Sequence, residues 1–144
     1  MKRIPTIKTV MTPFPYSIEP KASAQEAQEL MAEHGIHHLP VTEDGALVGM
    51  ISRDDINLLL GKEATKGKGK GLKVREAMIE DTYTVDLSER LDSVLHRMAE
   101  HHLRSVVVTR KGKLVGIFTQ IDACAAFAEF LREQLRRSGG GTAA

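Results

Sequence analysis

The sequence predicts an α+β protein built from two tandem β-α-β-β-α repeats related by pseudo-twofold symmetry. The first observation is an internal repeat: residues 10–56 align without a gap with residues 77–123 over 47 positions, of which 13 are identical. The second is a turn signal between two runs of β-branched and aliphatic residues in each copy, which indicates a β-hairpin. The third is an apolar pattern with helical spacing before each hairpin. Two copies are too few for a solenoid, so we expect the repeats to pack against each other.

The first elements follow in the same order in both copies. Each copy begins with a short extended piece, residues 16–18 or residues 83–85. The helix that follows in the second copy is predicted from apolar residues spaced at roughly i, i+3, i+4 and i+7, namely Leu91, Val94, Leu95, Met98 and Leu103. We expect Asp86 or Ser88 to cap this helix. Pro20 marks the start of the corresponding helix in the first copy, whose apolar positions are Ala24, Ala27, Leu30 and Met31.

A hairpin and a second helix complete each copy. The predicted strands cover residues 38–42 and 46–51 in the first copy and residues 105–109 and 113–118 in the second. The turns between them contain Asp44-Gly45 and Lys111-Gly112, which favour a tight reversal. Helices at about 53–60 and at about 120–137 close the two units.

These boundaries predict one module over residues 1–144. The first repeat covers residues 10–60, and the second repeat with its C-terminal helix covers residues 73–137. Residues 66–71 alternate Lys with Gly, so we predict a flexible linker over residues 61–72. It is not a nucleotide-binding P-loop, because that motif needs a preceding strand and a Ser or Thr after its Lys. The Gly-rich residues 138–144 are predicted to be a disordered tail.

Composition argues against several classes of function. The net charge of +1 disfavours nucleic acid or a membrane surface as the partner. One cysteine, Cys124, excludes an internal disulfide and suits a reducing cytoplasm, and we expect it to be a buried small residue rather than a nucleophile. No apolar stretch is long enough to span a bilayer, and the N-terminus lacks the apolar run of a signal peptide. We therefore predict a cytoplasmic protein.

The sharpest local feature follows the hairpin. Gly49-Met-Ile-Ser52-Arg-Asp-Asp55 recurs as Gly116-Ile-Phe-Thr119-Gln-Ile-Asp122, so a hydroxyl residue is followed at +3 by a carboxylate. This spacing is close to a helix capping box, and capping is the stronger interpretation of the motif alone. The same geometry can bind a ligand, since a helix N-terminus attracts phosphate and a carboxylate accepts hydrogen bonds from ribose hydroxyls. The two roles can coexist.

Basic residues precede the first hairpin strand in both copies. His37 and His38 in the first copy correspond to Arg104 and Ser105 in the second. The spacing His34-x-x-His37-His38 invites a metal interpretation, but no Cys or carboxylate supports it at ligand spacing, so we predict no metal site. The sequence shows no catalytic set, and we predict that the protein is not an enzyme.

Three motifs occur in order and then recur as a second copy. They are Val10-Met-Thr-Pro13, Gly35-Ile-His-His-Leu-Pro-Val41 and Gly49-Met-Ile-Ser52-Arg-Asp-Asp55. Together they resemble a CBS domain pair, named after cystathionine β-synthase and also called a Bateman module. The resemblance covers about 114 residues, from Val10 to Ala123. The second copy departs from the family pattern in having His102 for Gly35 and Val107 for Pro40.

The resemblance implies two sheets packed side by side around clefts that bind adenosine compounds, such as AMP, ADP, ATP or S-adenosylmethionine. By this resemblance, one cleft would contain Ser52, Asp55, Ile79, Tyr83, Arg104 and Ser105. The other would contain Thr12, Tyr16, His37, His38, Thr119 and Asp122. Asp55 and Asp122 would hold ribose. Phosphates would face Ser52, Thr119, Arg104, His37 and His38. Adenine would be bordered by backbone and apolar groups near Thr12, Tyr16, Ile79 and Tyr83.

The resemblance also implies a role. It predicts a stand-alone regulatory module that needs no cofactor, binds an adenine nucleotide as a regulatory ligand, and controls a separate effector protein. It further predicts a homodimer. The apolar face of the last helix either covers the sheet or forms a dimer surface; it carries Phe127, Phe130, Leu131 and Leu135. The alternatives are a structural dimerisation or assembly adaptor with vestigial clefts, and an S-adenosylmethionine sensor.

Overall fold

The computed structural model describes residues 4–65 and 71–139. In chain order its elements are α1 (Ile7–Val10), β1 (Thr12–Pro13), α2 (Ala24–His34), β2 (His38–Glu43), β3 (Ala46–Ser52), α3 (Arg53–Thr65), a 3₁₀ turn (Val74–Glu76), β4 (Thr84–Asp86), α4 (Leu91–His101), β5 (Ser105–Arg110), β6 (Lys113–Thr119) and α5 (Gln120–Arg137). The predicted α+β class is confirmed, as is the order of helix, hairpin and helix in each repeat.

The strands form one sheet with a twofold character. Their order is β2-β3-β6-β5-β4, and β1 also pairs with β6. Each hairpin is antiparallel and has a register shift at the same place, Val41/Thr42 in one and Val108/Thr109 in the other. The hairpins meet where Ala46 pairs with Lys113, two equivalent positions of the repeat. A pseudo-twofold axis that passes between the hairpins requires such pairing between equivalent positions. The resemblance implied two sheets, and in the structure the Ala46–Lys113 pair joins them into one.

Both hairpin turns have the expected tight form. Their central residues have positive φ angles, 51° and 83° at Asp44 and Gly45 and 52° and 78° at Lys111 and Gly112. Two successive positive φ angles are the conformation that matches the right-handed twist of the strands. The turn chemistry read from the sequence therefore fixes the register of each hairpin.

Each repeat has its own apolar core beneath its helix. Helix α2 buries Ala24, Ala27 and Met31, and α4 buries Leu91, Val94 and Met98 at equivalent positions. The helical periodicity predicted from the sequence is confirmed. A third small group consists of Met50, Val107 and Ile117.

The two core helices begin differently. Ser23 accepts a hydrogen bond from the Glu26 amide and caps α2. The predicted cap of α4 by Asp86 or Ser88 is wrong, because Arg90 occupies the N-cap position and makes no side-chain cap bond. The Asp86 carboxylate instead accepts bonds from the backbone amide and the hydroxyl of Ser88, at 2.9 and 2.6 Å.

The segment between the repeats is partly ordered. Helix α3 continues to Thr65, beyond the predicted end at 60 and into the expected linker. Leu72, also placed in that linker, is 9% exposed in the first core, and its carbonyl accepts a bond from the Ala24 amide at 2.8 Å. The remaining linker prediction, residues 66–70, and the tail prediction from residue 140 onwards lie outside the described residues.

Candidate functional site

Two capping boxes form the centre of the candidate site. At the start of α3, the Ser52 amide donates to Asp55 Oδ2, and the Asp55 amide donates to Ser52 Oγ, both at 3.0 Å. At the start of α5, the Thr119 amide donates to Asp122 Oδ2 at 2.9 Å. The capping interpretation is therefore confirmed in both repeats. The cap engages one carboxylate oxygen, and a carboxylate can accept about four hydrogen bonds, so capacity for a ligand remains.

The basic residues lie beside the capping box of their own repeat. His38 pairs with Ser52 across the first hairpin, and Ser105 pairs with Thr119 across the second. The His37 carbonyl accepts from the Arg53 amide at 2.8 Å, and the Arg104 carbonyl accepts from the Gln120 amide at 3.1 Å.

This geometry places the backbone of each basic segment beside the capping box of its own repeat. His37 and His38 were expected beside Thr119 and Asp122, and Arg104 and Ser105 beside Ser52 and Asp55. The hairpins are antiparallel, so the start of one strand lies beside the end of the next. The Arg104 side chain nevertheless extends to Asp54, the residue next to Asp55, at 2.8 Å, and the grouping of the ligand-binding residues stays a prediction.

The leading segments of the two repeats, which contain Thr12 and Ile79, are exchanged between them. Thr12 in β1 pairs with Ile117 in β6, and its hydroxyl donates to Asp122 at 3.2 Å. In the same way Ile79 forms two backbone bonds with Met50 in β3, at 2.8 and 2.9 Å. The structure therefore brings Thr12 to Asp122 and Ile79 to the strand that leads to Asp55, as the resemblance implied.

Two glycines make the exchange sterically feasible. A Cβ at Gly49 would lie 2.8 Å from the Ile79 carbonyl oxygen, and a Cβ at Gly116 would overlap the Met11 side chain. The repeated Leu-Val-Gly motif is thus explained by close approach of the exchanged segments, since any side chain at these positions would push them away.

We name two clusters from these contacts. The first-repeat cluster is His37, His38, Ser52, Asp55 and Ile79. The second-repeat cluster is Thr12, Arg104, Ser105, Thr119 and Asp122. Each contains a hydroxyl, a carboxylate and a basic segment of its own repeat, together with one residue from the other repeat's leading segment.

The two tyrosine rings are held by helices of their own repeats. Tyr16 stacks on His34 of α2, with ring centroids 3.8 Å apart and an angle of 14° between planes. The Arg97 guanidinium of α4 lies 5.0 Å from the centroid of the Tyr83 ring. Burial raises the pKa of Tyr83. Both rings therefore contact helices of their own repeats.

The family model for the CBS domain matches the chain twice, over residues 7–61 and 74–129. The chain belongs to the CBS domain family. The two matches begin at Ile7 and Val74, which are equivalent positions of the repeat, so the exchanged segments are part of the CBS unit.

Known relatives of this CBS pair support the assignment. The CBS domain-containing protein YhcV of Bacillus subtilis is 30% identical over 112 residues, which is 78% of each chain. A structure of CBSX2 in complex with AMP is 30% identical, with a TM-score of 0.76 over 87% of this chain and 97% of that one. CBSX2 is a protein of Arabidopsis thaliana. The CBS domain pair of MJ0100, in complex with 5′-methylthioadenosine and S-adenosyl-L-methionine, is 26% identical, with a TM-score of 0.79 over 88% of this chain and 98% of that one.

Some relatives are much longer. The chain spans 24% of the length of the inosine-5′-monophosphate dehydrogenase of Thermoplasma acidophilum, to which it is 27% identical over 123 residues.

Asp54 is a charged residue of the CBS pair that sequence reasoning missed. Arg104 Nη1 donates to Asp54 Oδ2 at 2.8 Å, which connects the two clusters. Burial lowers the pKa of His38, the positive charges of His37 and Arg104 lower it further, and Asp55 and Asp54 oppose this shift. The sequence feature that could have identified Asp54 is a difference between the copies: Ile121 occupies the equivalent position in the second repeat.

Two open cavities lie away from both clusters. One, of about 590 Å³, includes Lys8, Leu87 and Arg110 in its lining. The other, of about 500 Å³, includes their repeat equivalents Arg75, Pro20 and Glu43. Arg110 and Glu43 end the strands whose beginnings carry the clusters, so the cavities lie at the opposite end of the hairpins.

Other expectations concern chemistry outside the clusters. Cys124 is exposed, so the expected burial is wrong: α5 buries none of its residues. Within residues 4–65 and 71–139, no three His, Cys, Asp or Glu side chains are arranged to hold a metal ion. In the same part of the chain, no helix has the length and hydropathy needed to cross a membrane.

Proposed function

We propose that this CBS pair is a regulatory module that binds an adenosine compound at its two clusters. One observation carries the proposal: each capping carboxylate lies beside a basic segment of its own repeat, and a segment of the other repeat comes to the same region. The Thr12 hydroxyl donates to Asp122, and the Ile79 backbone pairs with Met50 in the strand that leads to Asp55. A ligand with a ribose and an anionic group finds complementary partners there. The AMP complex of CBSX2 and the S-adenosylmethionine complex of MJ0100 support the ligand class.

The roles of the residues follow from their chemistry. The carboxylates of Asp55 and Asp122 accept bonds from the ribose hydroxyls. Donors for a phosphate come from Ser52, Thr119, Arg104, His37 and His38, and the positive ends of the α3 and α5 dipoles attract it. Thr12, Ile79 and the backbone near Tyr16 and Tyr83 border the base. A net negative ligand such as AMP, ADP or ATP uses these donors most fully.

The proposed signal is a change in how the two repeats sit against each other. Thr12 and Ile79 reach their clusters from the opposite repeat, so a bound ligand contacts both repeats at once. A ligand regulates only when it binds one arrangement more tightly than another. We propose that this difference is passed to a separate effector protein and that the module itself is not catalytic.

Exposed apolar residues on the helices that close the repeats fit a homodimer. Phe127, Leu131 and Leu135 of α5 are 61%, 47% and 59% exposed, and Leu58 of α3 is 61% exposed. The three α5 residues are spaced at i, i+4 and i+8 on one face of the helix, and an exposed apolar face of this kind is typical of interfaces. Light scattering that shows only a 15.9 kDa monomer at micromolar concentration contradicts the homodimer.

The same apolar surface favours a second candidate, a structural assembly adaptor. In that case the two capping boxes serve α3 and α5 alone and the clusters bind nothing.

Thermal unfolding with a panel of adenosine, AMP, ADP, ATP and S-adenosylmethionine separates the two candidates. A ligand at 100 times its dissociation constant adds about 2.7 kcal/mol to the free energy of unfolding. We expect at least one compound to raise the midpoint in a concentration-dependent way. Guanosine nucleotides at the same concentrations are the control. No shift with any adenosine compound rejects the sensor and favours the adaptor.

A further inference from the structure

One ion pair crosses between the repeats at the candidate site. The Arg104 guanidinium, just before β5, donates to the Asp54 carboxylate in the first turn of α3 at 2.8 Å. Among the described residues it is the one ion pair that joins the two repeats. Its side chains are 65% and 66% exposed, so a ligand entering from solvent can reach both groups.

The pair breaks the pseudo-symmetry of the site. The repeat equivalents of Arg104 and Asp54 are His37 and Ile121. Ile121 has no charge and is 77% exposed, so the symmetric counterpart of this ion pair cannot form. The first turn of α3 carries two carboxylates, whereas that of α5 carries one.

Arg104 lies between the two clusters. Its backbone belongs to the second-repeat cluster, where its carbonyl accepts a bond from the Gln120 amide. Its side chain reaches the residue next to Asp55 in the first-repeat cluster. A guanidinium is the side chain best matched to a phosphate, because its planar N–H groups bind two oxygens at once. Asp54 already accepts from this donor group, and its negative charge also opposes a phosphate beside it.

We propose that Asp54 is a specificity-determining residue that holds Arg104 and thereby weakens the preference for phosphorylated over unphosphorylated adenosine. The inference rests on the proposed function and deepens it. A phosphate has to compete with Asp54 for the hydrogen bonds of the Arg104 guanidinium, whereas adenosine has no phosphate and does not need Arg104. Asp54 therefore sets how much a phosphate adds to affinity.

Calorimetry with AMP and adenosine on the wild type, Asp54→Asn and Asp44→Asn tests this. Asp44 is an exposed turn residue with a φ of 51°, a conformation that Asn adopts readily, so the control removes the same charge elsewhere. An exposed ion pair of ordinary strength predicts that Asp54→Asn binds AMP about 1.4- to 5-fold more tightly. Adenosine affinity stays unchanged in Asp54→Asn, and Asp44→Asn behaves as the wild type with both ligands.

An Arg104→Gln background completes the test. There the gain from Asp54→Asn disappears, because no guanidinium remains to be released. A gain that persists in this background, or that is equal for adenosine, overturns the inference. So does an unchanged AMP affinity in Asp54→Asn, and in these three cases the proposed function still stands. Failure of the wild type itself to bind either ligand overturns both.

Discussion

In the second repeat, β4 runs parallel to β5 over three residues, whereas the first repeat has only the single bridge between Ile18 and Val41 at this place. Two prolines account for the difference. The Val107 amide donates to the Tyr83 carbonyl at 3.0 Å and the Leu87 amide donates to the Thr109 carbonyl at 2.9 Å, whereas the equivalent residues, Pro40 and Pro20, have no amide hydrogen. The edge of the first repeat is therefore less tightly bonded, although its core is built from the same positions.

The two clusters differ in charge in a similar way. The first turn of α3 has Asp54 and Asp55 near two histidines, while the second-repeat cluster has Asp122 and an arginine that is always charged. The positions shared by the repeats build the fold and the caps. The positions that differ set the chemistry offered to a ligand, so the two clusters should differ in affinity.

The largest expected effect tests whether both clusters bind. Asp55→Ala and Asp122→Ala should each weaken adenosine-nucleotide binding at one cluster by roughly tenfold to a hundredfold, since a hydrogen bond to a charged group contributes about 1.5–3 kcal/mol. Calorimetry on the single and double variants measures this.

Loss of a helix cap must be separated from loss of a ligand contact in that experiment. Ser23→Ala removes the α2 cap at a cost of about 1 kcal/mol, far from both clusters, and should leave binding unchanged. If the double variant binds the nucleotide like the wild type, Asp55 and Asp122 serve only as helix caps and do not contact the ligand.

A smaller effect should follow from exchanging the residues at the sheet edge. Val107→Pro removes the bond to Tyr83 and leaves its carbonyl unpaired, so it should lower the free energy of unfolding by about 1–3 kcal/mol. Pro40→Val should change stability by less than about 1 kcal/mol, because the new bond to Tyr16 is offset by the greater freedom of the unfolded chain. Urea unfolding gives both values. Equal effects of the two substitutions would show that Pro40 does not contribute to the difference.

The smallest effect concerns pH, through His38, whose equivalent Ser105 does not titrate. The pKa of His38 is lowered in the folded protein, so the unfolded chain binds the proton more readily. Protonation of His38 therefore lowers the free energy of unfolding. The contribution of His38 to stability is complete above the ordinary pKa of about 6.5, and it is lost as pH falls from there towards the lower pKa of the folded state.

The variant His38→Ser isolates this contribution. As pH is lowered from about 7.5 to 5.5, the free energy of unfolding of the wild type should fall relative to that of His38→Ser. A difference that stays constant over that range would contradict the shift.

The sequence predicted what local patterns encode. Helices α2, α4 and α5 and both hairpins follow from periodicity and turn residues, and the Ser52 and Thr119 boxes were recognised as caps. The exchange of Thr12 and Ile79 came from the family resemblance, because pairing between residues 105 positions apart leaves no periodic signal.

The errors have equally physical causes. The placement of His38 beside Ser52 was not expected, although the register of the predicted hairpin places residue 38 opposite residue 52. Asp54 has no signal in the repeat, because the equivalent position is Ile121. Cys124 was expected to be buried because its neighbours are small, but none of the residues of α5 is buried.

The exchanged segments have a consequence for how the chain folds. Ile7 lies in the core of the second repeat and Val74 in the core of the first, and β1 finds its partner only in β6. A ribosome that has released only the first 60 residues has therefore made neither repeat in full. The first repeat is complete only once Val74 has emerged, and the second must close a loop of more than 100 residues between β1 and β6, which slows folding relative to two units that each contain all of their own segments.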